Sequence, residues 1–189
     1  MQEPHRTEIV VAVASPEQHE RLGEITVEAY RSAGQLGGSE ASYAIELADV
    51  AGRAAHADIL VATDGDGRVV GGATYVPGPG TPSSEFADAD AAGIRMLAVD
   101  PAAGRRGVGR ALTIACVDRA RAAGRRRVVL HTVDGNAPAR RMYEALGFQR
   151  DPGADWEPVP GLVLVGYRLE LPTPGTVPDQ QASTNASRS

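Results

Sequence analysis

The stretch from Arg95 to Leu112 leaves this chain few folds to choose from. Ile94 to Val99 is an apolar strand, Pro101 to Arg106 a loop, and Gly107 to Ala123 a helix. In that helix Val108, Leu112, Ala115, Cys116 and Ala120 recur at helical spacing and face a core. Gly107 and Gly109 stand where the helix begins. Residues without a Cβ let a ligand come close to the backbone. The unpaired N–H groups of a helix's first turn, together with the helix dipole, favour an anion there. Arg105, Arg106 and Arg110 add positive charge. The segment reads as a phosphate or pyrophosphate site, or as a structural turn. The dinucleotide-binding version is disfavoured, because its third glycine would fall on Leu112.

The surrounding chain is mixed α/β. Thr7 to Ala14 is a strand. Ser15-Pro16-Glu17-Gln18 opens a helix that runs to about Ser32, with Leu22, Ile25 and Ala29 on one face. A second helix spans Glu40 to Ala55, with Tyr43, Leu47, Val50 and Ala54 aligned. Asp58 to Thr63 and Arg68 to Val76 are strands joined by the hairpin turn residues Asp64-Gly65-Asp66-Gly67. Pro77 to Gly93 reads as a long surface loop. Arg127 to Val133 is a strand, Ala137 to Leu146 a helix, and Gly161 to Leu171 a closing strand. A single domain over 1–171 is expected. The tail over 172–189, rich in Pro, Ser, Thr, Gln and Asn without an aromatic residue, is expected to be disordered.

Charge narrows the function. All 19 basic residues are Arg, which excludes the Walker phosphate loop and Schiff-base chemistry, both of which need Lys. From Arg95 to Arg150 there are 12 Arg against 4 acids, inside a chain of net charge −5. A basic segment in an acidic protein suggests a polyanionic ligand. Nucleic acid is not expected as a partner, because the chain is acidic overall and the segment is poor in aromatic residues that could stack on bases. The single Cys excludes a disulfide framework and a Cys-based zinc site, and no metal is expected. The apolar runs are too short to cross a membrane and no secretory signal is evident, so a soluble, cytoplasmic protein is expected.

A second motif follows the next strand: Asn136-Ala137-Pro138-Ala139-Arg140-Arg141-Met142-Tyr143-Glu144-Ala145-Leu146-Gly147-Phe148. With it, the chain from Ile94 to Phe148 resembles the GNAT superfamily of acyl-CoA-dependent N-acyltransferases. The resemblance rests on the Gly-x-Gly turn after a Leu-x-Val-x-Pro strand and on Asn-x-x-Ala-x-x-x-Tyr-x-x-x-Gly-Phe, in order and at the right separation. One position departs: the family's turn usually opens with Arg or Gln, and here Gly104 stands there, with Arg105 next in line for that role.

The resemblance implies an α/β (α+β) fold. Its sheet is central, mixed and mostly antiparallel, with a V-shaped split between two parallel strands and helices on both faces. It implies acetyl-CoA as co-substrate, held by the backbone of Leu97, Ala98 and Val99, by the turn from Gly104 to Ala111, and by Asn136 and Ala139. Backbone N–H groups would bind the pyrophosphate at Gly107, Val108, Gly109, Arg110 and Ala111. An amine would attack the thioester directly in a ternary complex, and Tyr143 would protonate the leaving thiolate. The alternative is a non-catalytic acyl-CoA-binding sensor or degenerate member. The acceptor would be a small-molecule or peptide amine, with a pocket formed by Glu85, His131 and Trp156, and the protein a monomer or homodimer. The general base stays open among Glu85, Asp88, Asp90, His131, Asp134 and a water chain. Cys116, on an apolar helix face, reads as core.

Overall fold

The computed structural model describes residues 8–36, 40–104 and 106–172. Eight strands form one sheet: β1 (Val10–Val13), β2 (Asp58–Thr63), β3 (Val69–Val76), β4 (Ala91–Val99), β5 (Arg127–Val133), β6 (Gln149–Arg150), β7 (Trp156–Val159) and β8 (Leu162–Glu170). Their order is β1-β2-β3-β4-β5-β8-β6, with β7 also on β8. Every pairing is antiparallel except β4 with β5. This is the mostly antiparallel mixed sheet with one parallel pair that the resemblance implies.

Five α-helices accompany the sheet among the described residues: α1 (His19–Ser32), α2 (Glu40–Ala48), α3 (Val50–Ala54), α4 (Val108–Ala122) and α5 (Ala137–Ala145). The main core joins α4 and α5 to the sheet through Val108, Leu112, Cys116, Val128 and Phe148. A smaller core of Leu22, Val50 and Ile59 lies under α1 and α3. A Cβ on Gly72 would meet a Leu22 methyl at 2.5 Å, so glycine in β3 is what lets α1 settle on the sheet. None of the helices is long and apolar enough to cross a membrane.

Several element boundaries differ from the sequence reading, each for a local reason. The Ser15 capping box forms, with Ser15 N–H donating to Gln18 Oε1 at 2.9 Å, but Pro16–Gln18 is a 3-10 turn and the α-helix starts at His19. The helix expected over Glu40 to Ala55 breaks at Asp49, whose carboxylate accepts from Gly52 N–H at 2.8 Å and so caps a new helix. β4 starts at Ala91 rather than Ile94. Ala91, Ala92 and Gly93 look like loop by propensity but lie between neighbours: Ala91 pairs with Arg127 and Gly93 with Val76. Gly93 sits under the Phe86 ring, where a Cβ would come within 2.6 Å. Trp156, which precedes the expected closing strand, lies in a strand of its own, β7, and Gln149–Arg150 adds the short strand β6. Thr7 and the tail beyond residue 172 fall outside the described residues.

Candidate acetyl-transfer cleft

The parallel pair β4–β5 is in register only from Ala91–Arg127 to Ile94–Leu130. Beyond it the strands part, while β4 continues to pair with β3 as far as Val99 opposite Gly71. A bulge assists the divergence. Thr74 faces Arg95 and Gly72 faces Ala98, so Met96 and Leu97 together oppose Ala73. Met96 takes a left-handed φ of 49°, unusual for a residue with a side chain. One edge of β4 is thus left facing a cleft of about 640 Å³.

The cleft brings together most of the residues singled out from the sequence. Leu97, Ala98 and Val99 line it from β4, Gly104, Gly107, Val108, Gly109 and Arg110 from the turn and α4, and Asn136, Ala139 and Tyr143 from α5. Gly107 adopts φ 82° as the residue before α4, a left-handed conformation that suits glycine. Ala111 N–H bonds Gly107 O at 3.0 Å, so the N–H groups of the preceding helical positions have no partner within α4. The Asn136 Oδ1 accepts from Ala139 N–H at 3.2 Å and caps α5.

Two of the expected cofactor-binding residues stand elsewhere. Ala111 and Arg106 do not line the cleft. The Arg106 guanidinium lies 3.8 Å from Asp64 of the β2–β3 turn, a carboxylate only 4% exposed. Burial pushes Asp64 up, but the backbone N–H groups of Arg68 and Asp66, then the two guanidinium groups, outweigh it and hold its pKa below the ordinary value. Arg105 falls outside the described residues.

Tyr143 is 5% exposed, tilted against Phe148 and Tyr167 with ring centroids 5.7 and 6.2 Å away. Burial pushes its phenol well above the ordinary value, so the proton stays on oxygen at neutral pH. Among the described residues its hydroxyl makes no hydrogen bond, although Tyr143 lines the cleft. A hidden clamp fixes the helix that carries it. Arg140 Nε donates to Tyr167 Oη at 3.1 Å, and that hydroxyl donates to Glu144 at 2.8 Å, tying α5 to β8.

Of the candidate bases, only Glu85 and His131 reach the cleft. Asp88 is paired with Arg127 and Asp134 with Arg140, and neither they nor Asp90 line the cleft or the cavity beside it. Glu85 is shared: one oxygen pairs with Arg95 and the other lies 3.5 Å from His131 Nδ1. His131 Nε2 is 2.8 Å from the Ala154 carbonyl, which places a proton on that nitrogen. Burial pulls His131 down, but Glu85 and the Ala154 carbonyl outweigh it and raise its pKa above 6.5. Nε2 is thus committed as a donor, while Nδ1 faces the Glu85 carboxylate, which favours a proton there. Cys116 is fully buried, and burial pushes its thiol up to about 12.

The cleft adjoins a second cavity, lined by Tyr30, Tyr43, Arg95 and Trp156 among others. Sequence reasoning singled out Trp156 but missed Tyr30, Tyr43 and Arg95 as site residues. A signal for Arg95 was present: it interrupts the apolar run of β4. Tyr43 was read as a core-facing helix residue, and periodicity does not separate a core face from a pocket face. No cluster of metal-ligating side chains exists among the described residues.

A family model described as the acetyltransferase (GNAT) family matches residues 19–148. A mycothiol acetyltransferase from Beutenbergia cavernae is 42% identical over 89 residues, which are 47% of this chain and 27% of that protein. The chain therefore aligns with only about a quarter of the length of that relative. A crystal structure from Desulfovibrio desulfuricans, described as of the GNAT family of acetyltransferases, superposes with a TM-score of 0.61 at 28% identity, covering 86% of this chain and 99% of that one. A Salmonella typhimurium structure, solved with acetyl-CoA as its cofactor, has a TM-score of 0.65 at 22% identity over 95% of this chain and 99% of its own. At that identity the likeness concerns the fold.

Proposed function

We propose, from the premise that the chain belongs to the acetyltransferase (GNAT) family, that it transfers an acetyl group from acetyl-CoA to a primary amine. The observation that carries the reading is a single cleft bounded by an open β-strand edge, a helix N-terminus and an unpaired buried phenol. Acetyl-CoA supplies an acetyl group already activated as a thioester. The extended β4 edge at Leu97 and Val99 suits an amide-bearing arm, because its backbone groups have no strand partner on that side. The Gly107–Arg110 turn suits a pyrophosphate, through backbone N–H groups that the helix dipole makes more attractive to anions. Asn136 and Ala139 bound the arm from the α5 side.

The reaction forms a C–N bond and breaks a C–S bond. The amine must lose a proton and the departing sulfur must gain one. Tyr143 is the donor on the sulfur side: it is protonated, it faces the cleft, and no other group competes for its hydrogen. The ammonium loses its proton before attack; His131 Nδ1 is turned toward Glu85 at 3.5 Å, and its Nε2 toward the Ala154 carbonyl. Water at the cleft mouth is the proposed carrier. A cytoplasmic location and an amine acceptor, with attack in a ternary complex, complete the reading. The acceptor does not follow from the names of the curated relatives, because the match spans so little of their length.

Tyr143→Phe tests the assignment. We expect kcat to fall by about a hundredfold or more, the usual worth of a positioned acid, while acetyl-CoA affinity changes little. An unchanged kcat would overturn the role of Tyr143. Acetyl-CoA binding with no thiol release for any amine would favour the acyl-CoA sensor.

A further inference from the structure

The second cavity has a volume of about 460 Å³ and opens between the α1–α2 side and the β7–β8 hairpin. Tyr30, Tyr43, Glu85, Arg95, Val133 and Leu164 line both this cavity and the cleft, so the two spaces meet at these residues. On the hairpin side the wall is Trp156, Pro158, Val159 and Leu162. On the helix side Tyr30 and Tyr43 meet edge to face, with centroids 6.1 Å apart. Apolar and aromatic walls of this kind suit an apolar body.

Its charged groups are few and can be accounted for one at a time. Among the described residues three line it: Glu46, Glu85 and Arg95. Arg95 is spent, with Nη1 donating to the Ser83 carbonyl at 3.2 Å and Nη2 paired with Glu85. Glu85 is offset by that same guanidinium, and His131 stands 3.5 Å from its other oxygen. Glu46 forms no ion pair among the described residues; the Arg53 guanidinium nearby bonds the backbone carbonyl of Glu46, at 2.6 Å, and not its carboxylate. Among the described residues, the lining therefore carries one excess negative charge and no spare cation.

We propose that the acceptor is a primary monoamine on an aromatic or branched apolar body, lodged in this second cavity with its amine at the junction with the cleft and its single positive charge favoured by the excess negative charge that Glu46 gives the lining. This rests on the acetyl-transfer reading above. Other classes of amine fit poorly. An α-amino acid would bring a carboxylate with no free cation to meet it. A diamine or polyamine would set a second ammonium against the apolar hairpin wall. An amino sugar would set hydroxyls against the apolar hairpin wall, while the polar side chains Gln35, Ser42, Tyr30 and Tyr43 stand on the helix side.

The chain contains one Trp, Trp156, and it lines this cavity, so intrinsic fluorescence reports occupancy directly. The full chain, with CoA bound, is titrated with 2-phenylethylamine, phenylalanine, 1,4-diaminobutane and glucosamine. We expect a saturable fluorescence change with 2-phenylethylamine, and binding of the other three weaker by at least about tenfold. Glu46→Gln should weaken 2-phenylethylamine by about two- to fivefold, the worth of an exposed ion pair. No saturable change with 2-phenylethylamine, or equal or tighter binding of any of the other three, would overturn the proposal. The same amines with acetyl-CoA and a thiol assay separate this from the underlying reading. Tight binding of 2-phenylethylamine without thiol release refutes acetyl transfer alone. Thiol release with glucosamine but not with 2-phenylethylamine refutes the acceptor class alone.

Discussion

Tyr143 and His131 show how burial sets a residue's chemistry. Both were candidates from residue type and position. Burial moves the Tyr143 phenol upward and so keeps it a donor. At His131 burial again disfavours the charged form, which here lowers the pKa, and the Glu85 carboxylate and Ala154 carbonyl overcome it. A proton held more tightly in the folded state than in the unfolded one stabilises the fold below the ordinary value of 6.5. That contribution is lost as pH rises through the folded-state pKa. The melting temperature should therefore decline as pH is raised above 6.5, and His131→Gln should flatten the decline. A His131→Gln profile parallel to that of the wild type would contradict the account. Neither the depth of Tyr143 nor the company of His131 is written in the local sequence, because both depend on contacts with β8 and with the turn before β7.

At the scale of elements, the strand–turn–helix from β4 to α4 was the most legible part of the chain. Gly107 and Gly109, the apolar β4 and the α4 stripe all carry local signals, and the structure places them as their periodicity predicts. The β4 bulge was not legible. Met96 at φ 49° belongs to no turn signature, and its conformation comes from pairing with β3. Short strands β6 and β7 were missed for the same reason: each is defined by β8 and not by its own residues. Gly107→Val isolates the turn. A Cβ there meets nothing within 4 Å, so the cost is backbone conformation alone. We expect a loss of about 1–2 kcal/mol in a denaturant melt, with weaker acetyl-CoA binding. Full stability and affinity in this variant would show that the left-handed turn is dispensable. Asn136→Ala should cost about 0.5–2 kcal/mol as a lost cap, and a melt unchanged by the substitution would deny the capping role.

At the scale of the whole molecule, charge and composition set what the protein can do to itself. With no Lys in the chain, no side-chain amine exists for acetylation. Incubation with acetyl-CoA alone should add at most one stable amide-linked acetyl group, at the N-terminal amine, and two by intact mass would contradict this. The excess of Arg between Arg95 and Arg150 suggested a polyanionic ligand as a block. The structure divides that block: Arg119, Arg127, Arg140 and Arg150 are engaged with Asp58, Asp88, Asp134 and Asp155, while Arg110 lines the cleft. The central claim is that an acetyl group passes from acetyl-CoA to an amine within that cleft. Its most direct test mixes the purified full chain with acetyl-CoA and 2-phenylethylamine, then quantifies N-acetylated amine and free CoA thiol together. The account predicts that the two appear in equal amounts and that Tyr143→Phe slows both alike; thiol released without acetylated amine, or the two appearing at wild-type rate in Tyr143→Phe, would contradict it.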